Sequence, residues 1–210
     1  MNMPDDGPQV DVFVDLSNDF VALQQEAAER EPWYLHRRAR LHFGRLHELA
    51  AAGRHVRTVV VVGSTTGTDD LVWARWRRLG YRTVVLDRGA DGREQGVDEA
   101  LQDEISRVRL AGAPGVAVLL TGDDAGAEDG IGFVPVLRGV IDAGWAVELL
   151  SWRRATHHRL QQLAEEHGVY VPLDDFYDEI TYLEDHAREA APLRVRPRPL
   201  AQWPARGHVA

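Results

Sequence analysis

The chain has no cysteine in its 210 residues, which excludes disulfides and zinc–thiolate centres and leaves the redox compartment unread. It has no lysine either: all 24 basic residues are arginine. Arginine grips phosphate bidentately, but the usage accompanies abundant Ala, Gly and Val and reads first as a compositional bias. No apolar run approaches the roughly 20 residues that cross a bilayer, so no membrane partner is expected. Met1-Asn2-Met3-Pro4-Asp5-Asp6 carries neither a basic nor an apolar leader segment, and the expected location is cytoplasmic. No Gly-x-Gly-x-x-Gly follows the first apolar strand and no P-loop motif occurs, so no dinucleotide cofactor is expected. A Gly-x-Ser-x-Gly nucleophile elbow is absent as well.

The formal net charge is −9, and its sign is unevenly spread. No acid follows Glu189, whereas Arg194, Arg196, Arg198 and Arg206 do. An acidic body argues against wholesale coating of nucleic acid. A local basic strip beside an acidic site is still compatible with a nuclease.

Periodicity predicts an α/β chain with a mostly parallel central sheet in a three-layer α/β/α arrangement. Residues 1–9 are expected to be a disordered N-terminus, 10–189 one domain, and 190–210 a flexible tail rich in Pro and Arg. Val10–Leu16 reads as a strand buried on both faces. Pro32 to Ala52 reads as a helix, with Leu35, Ala39, His42, Leu46 and Leu49 at helical spacing and Gly53 ending it. Val56–Gly63, a β-branched run, reads as a strand. A helix over Leu71–Leu79 and a strand over Arg82–Leu86 follow, then a glycine-bearing loop over Asp87–Gly96. Beyond it lies a helix from Val97 through Leu101, Ile105 and Val108. Val116–Thr121 is the next strand, and Phe133, Val136, Leu137, Val140 and Ile141 mark an amphipathic helix. Trp145–Leu150 and Val169–Val171 are strands flanking a helix from Thr156 to His167, and Leu173 to about Glu189 reads as helix. Strands and helices in alternation mean right-handed βαβ units.

Three acidic motifs fall at points where such a sheet binds ligands. They are Val14-Asp15-Leu16-Ser17-Asn18, Gly96-Val97-Asp98 and Thr121-Gly122-Asp123-Asp124. Carboxylates gathered at one rim repel one another, so a shared site makes sense with a hard divalent cation between them. Asp15 and Asp98 could instead cap helices, and the acids through Asp129 could be a solvated loop. Trp152-Arg153-Arg154 with His157, His158 and Arg159 follows the fifth strand on the same rim. Arginines with an aromatic suit a nucleic-acid backbone and an unstacked base; a solvated basic helix start is the plainer alternative. His42, Trp73 and Trp76 read as packing or contact residues on apolar helix faces, and the Trp- and His-bearing helices could form a homodimer face.

The order of these motifs resembles the NYN family of PIN-like ribonucleases. Val12-Phe13-Val14-Asp15-Leu16-Ser17-Asn18 is similar to the family's strand-one motif, and Arg93-Glu94-Gln95-Gly96-Val97-Asp98 to its helix entry. Leu119-Leu120-Thr121-Gly122-Asp123 resembles its Ser/Thr-Gly-Asp. Phe133-Val134-Pro135-Val136-Leu137, Gly144-Trp145-Ala146-Val147, Leu160–Ala164 and Leu173-Asp174-Asp175-Phe176 continue the likeness over roughly residues 10 to 180. Two departures stand out. An insertion separates Asp123 from Phe133, where the family reads Gly-Asp-Ser-Asp-Phe, so Asp124 or Asp129 would have to substitute. Glu104 stands where the family often has a further Asp.

The resemblance implies a PIN-like endoribonuclease dependent on Mg²⁺ or Mn²⁺, acting on RNA, with single strands the expected form. Asp15, Asp98 and Asp123 would hold the ion, with Asp124, Asp129 and Glu104 as secondary ligands. Asn18 would orient a water or the phosphate, and Arg153, Arg154, His157 and Arg159 would hold the strand. A weakened domain of the same fold that binds RNA or a protein without cleaving is the alternative. A phosphatase with an Asp nucleophile fits less well, because Asp15 lacks the Asp-x-Asp arrangement.

Overall fold

The computed structural model describes residues 8–65, 70–124, 132–185 and 190–194. Residues 1–7 of the expected disordered start, most of the expected tail and Asp129 lie outside those residues, while Gln9 is held by its carbonyl accepting the Val116 N–H at 2.9 Å.

β1 (Val10–Asp15) is buried at every position and runs through the middle of a six-stranded sheet. On one side of it lie β3 (Val56–Thr65) and β4 (Arg82–Asp87). On the other lie β5 (Val116–Leu120), β6 (Ala146–Ser151) and β7 (Gly168–Pro172). The order β4-β3-β1-β5-β6-β7 is parallel at every pairing, with Phe13 between Val60 and Leu119. Near-continuous Val and Leu runs are what a sheet covered on both faces demands.

Because side chains alternate across a strand, β1 feeds two cores. Val12 and Val14 join Leu23, Leu46, Trp76 and Tyr177 beneath α1 (Leu16–Arg30), α2 (Phe43–Ala51), α3 (Asp70–Arg78) and α7 (Tyr177–Ile180). Phe13 joins Leu101, Leu137 and Leu163 beneath α4 (Val97–Ala111), α5 (Phe133–Asp142) and α6 (His158–His167). The result is the expected three-layer α/β/α fold.

Two predicted helices are corrected. Residues 32–52 are not one helix: a 3₁₀ turn at His36–Arg38 leads into strand β2 (Ala39–Leu41), and only α2 is helical. Ala39 and Leu41 are the buried positions, a strand period, and only Ala39 belongs to the helical pattern with Leu35 and His42. β2 pairs antiparallel with β8 (Thr181–Leu183), which likewise ends the helix predicted from Leu173 after a 3₁₀ turn and the short α7. Each strand exists because the other is there to pair with it. His42, expected in a packed face, is exposed, and its Nδ1 accepts the Arg45 N–H at 3.2 Å as the cap of α2. Trp73 and Trp76 are packing anchors as expected, at 4% and 2% exposure. α1 itself has no counterpart among the predicted elements.

Candidate active site

Asp15 ends β1 and caps α1. Its Oδ1 accepts the Asn18 N–H at 3.0 Å, and its Oδ2 accepts the hydroxyl of Thr121, the first residue past β5, at 3.2 Å. Asn18 returns the tie, its Oδ1 accepting the Gly122 N–H at 2.9 Å. The carboxyl ends of β1 and β5 are thus bonded together at the point where the strand order reverses. That is where open α/β sheets bind ligands. Gly122 is needed for this approach: a Cβ there would stand 2.4 Å from the Ala155 carbonyl oxygen.

Asp98 arrives from the other layer, in the first turn of α4. The cap of that helix is Gly96 at φ +77°, a conformation suited to glycine. Asp98 is therefore not spent as a cap. Asp15, Asn18, Asp98 and Asp123 line one open cleft of about 600 Å³, with Ser17, Glu94 and Glu99 also in its wall.

The electrostatics of this cleft differ from those around the buried acids Asp11 and Glu148. Asp11 is met by Arg57, its Oδ1 accepting from Nε at 3.0 Å, and Glu148 by Arg54 at 2.6 and 2.8 Å. Among the described residues no arginine or histidine pairs with Asp15, Asp98 or Asp123. Burial, then the negative charges of Glu94 and Asp123, push the Asp15 carboxyl up to about 6, against the hydrogen bonds from Asn18 and Thr121. Burial and the charges of Asp15, Asp123, Glu99 and Glu94 push Asp98 up to about 7. The donors are carboxylate and amide oxygens, the set a hard divalent cation prefers. As the side chains stand, no group of three acids or histidines among the described residues is positioned to hold a metal ion.

The remaining candidates are placed elsewhere or differently employed. Glu104 is not in the cleft; it pairs with Arg82 at 2.6 Å and with Arg107, as its different helix face foreshadows. Asp124 is buried, and its Oδ1 accepts the N–H groups of Phe133 at 2.6 Å and Val134 at 3.3 Å. It therefore caps α5 across the insertion. Its Oδ2 has no hydrogen-bond partner, with His157 Nδ1 3.7 Å away.

The basic cluster after β6 is largely balanced. Arg153 pairs with Asp175 at 2.6 Å and Arg154 with Glu29. Trp152, its expected stacking aromatic, is 1% exposed and belongs to the core. His157, not Thr156, caps α6, its Nδ1 accepting the Arg159 N–H at 3.4 Å.

Three acids were not anticipated, among them Glu99 in the cleft wall. Glu94 stands in the quoted motif beside Gly96 and accepts from the Ser64 hydroxyl. Asp19, on the inner face of the unpredicted α1, is wholly buried with both oxygens unpartnered, and burial beside Asp15 raises its pKa well above the carboxylate range. Only the helical register of α1 could have shown it.

In comparison with known proteins, no family model matches the chain and no curated protein matches it.

Proposed function

We propose that the chain is a metal-dependent endoribonuclease, with Mg²⁺ or Mn²⁺ held in the cleft by Asp15, Asp98 and Asp123. The observation that carries the reading is that three acids from distant parts of the chain line one cleft at the strand-order reversal, with no basic partner among the described residues. Buried Asp11 and Glu148, by contrast, have arginines opposite them. A divalent cation bound there supplies Lewis-acid polarisation of a phosphate and a more acidic bound water.

The chain's own groups do the positioning. Thr121 and the Asn18 N–H fix the orientation of Asp15, and Asn18, itself held by Gly122, presents its amide NH₂ for a water or phosphate oxygen. Asp98 and Asp15 share negative charge that a proton or a cation must neutralise. Asp15→Asn, which keeps shape and removes charge, is expected to abolish Mn²⁺-dependent cleavage of a labelled single-stranded RNA while circular dichroism stays unchanged. Wild-type cleavage by that variant excludes this site.

A second reading, a cleft that binds RNA without cutting it, is favoured by one observation. Asp124 is committed to capping α5 and no three acids stand at ion-binding spacing among the described residues. Calorimetric titration of Mn²⁺ alongside the cleavage assay separates the two, since only the nuclease needs both signals.

A further inference from the structure

The stretch Pro32-Trp33-Tyr34-Leu35-His36-Arg37-Arg38-Ala39-Arg40, between Glu31 at the end of α1 and Leu41 of β2, contains no acid. Trp33 is 85% exposed and Tyr34 63%, whereas Trp73, Trp76, Trp145 and Trp152 are all buried. The two exposed rings meet edge to face with centroids 5.7 Å apart, a geometry aromatic pairs favour. Leu35, nearly buried, anchors the segment beneath them.

Next to the rings, Arg37 and Arg38 are exposed and have no acidic partner among the described residues. Arg38 donates to the Asp185 carbonyl at 3.5 Å, and the Arg37 carbonyl accepts from Arg40 at 2.8 Å. Arg40 pairs with Glu184 at 2.7 Å, so Arg37 and Arg38 carry the positive charge beside two exposed aromatic rings.

The strip is strapped to the helix that forms the cleft. Gln24 Nε2 donates to the Ala39 carbonyl at 2.9 Å, and the Arg40 guanidinium lies over the Phe20 ring, 5.9 Å from its centre. Phe20 is followed by Val21, which lines the cleft. The Arg40 end of the segment therefore packs on the half of α1 whose Asn18 and Val21 line the cleft.

We propose that this segment is a holding platform for single-stranded RNA running from the cleft, with an unpaired base stacked on Trp33 and flanking phosphates on Arg37 and Arg38. It takes its occupant from the nuclease reading of the cleft. Base–aromatic stacking tolerates any sequence, and exposed arginines beside it bind the backbone.

The test is fluorescence anisotropy of labelled RNA oligonucleotides with the full chain in EDTA, so that cleavage plays no part. Single strands are expected to bind more tightly than duplex. Trp33→Ala should weaken binding roughly 5- to 100-fold and Trp33→Phe much less. The double change Arg37→Ala with Arg38→Ala should reduce the slope of log affinity against log salt by about 1.4. Equal affinity of Trp33→Ala and wild type, no binding at all, or loss of self-association as the only effect of Trp33→Ala overturns the platform. Platform-sensitive binding with no Mn²⁺-dependent cleavage leaves it standing and removes the nuclease. Cleavage with Trp33-independent binding does the reverse.

Discussion

Acids in this molecule divide by what stands opposite them. Asp11, Glu148 and Glu104 meet arginines, so their charges are balanced where they lie. Asp15 and Asp19 meet other acids in a dry interior and Asp98 meets them in the half-buried wall of the cleft, and all three hold their protons to higher pH than an unfolded chain would. The sign of the linkage follows. Below about pH 4 these groups are protonated folded or unfolded; as pH rises toward about 7 the unfolded chain releases protons that the fold keeps, and stability falls. Thermal melts of the metal-free protein should therefore show Tm declining from pH 4.5 to 8. Asp98→Asn should flatten that decline and raise stability at pH 8 by on the order of 1 kcal/mol, discounted for partial exposure. A melting profile unchanged by the substitution would show that Asp98 is not coupled to its neighbours. Asp19→Asn removes a carboxyl that must otherwise stay protonated, so Tm at pH 7.5 should rise by roughly 2–4 °C, with little change at pH 4.5. A lower Tm at pH 7.5 would mean that the carboxyl has a stabilising role its surroundings do not reveal.

At the scale of elements, helix beginnings carry the site. Asp15 caps α1, Gly96 turns the chain into α4, and Asp124 caps α5 from nine residues away. The last arrangement separates two roles that one carboxylate could serve. Asp124→Asn keeps an oxygen for the Phe133 and Val134 N–H groups, so urea unfolding should stay near wild type. Asp124→Ala removes the cap and should cost about 1–2 kcal/mol. If Asp124→Asn also leaves Mn²⁺ affinity unchanged, Asp124 is a structural cap alone; a tenfold loss would make it a ligand as well. Elements were also where sequence periodicity misled most. Val56–Gly63 reads as a strand because β-branched residues in a row have little alternative. Leu35, Ala39 and His42 fit a helix whereas Ala39 and Leu41 fit a strand, and pairing with Thr181–Leu183 decided between them.

For the molecule as a whole, the strand order sets where chemistry can occur. The chain builds outward from β1 to β4, then returns through α4 to the other side of β1, leaving a crevice where Asp15, Asp98 and Asp123 line the same wall. A ligand that binds only this assembled crevice must stabilise the whole fold. Mn²⁺ at about 100 times its dissociation constant should add about 2.7 kcal/mol and raise Tm accordingly. In Asp15→Asn that rise should disappear while the metal-free Tm stays at or above wild type. An identical Mn²⁺ shift in both proteins would move the ion to some other place on the chain.

What the sequence determined alone was local and repetitive: buried parallel strands with apolar runs, amphipathic α4 and α5, and acids at strand ends, because burial on both faces and helix periodicity leave direct marks in residue order. Which acids remained unpaired was decided by tertiary structure, since Arg57, Arg54 and Arg82 reach Asp11, Glu148 and Glu104 across elements far apart in sequence. The same holds for the aromatics. Trp152 beside Arg153 and Trp33 ahead of Arg37 look alike as strings, yet packing against Tyr177 buries one ring while the turn after α1 leaves the other in water. Burial depends on what folds over a side chain, and that is a property of the assembled layers.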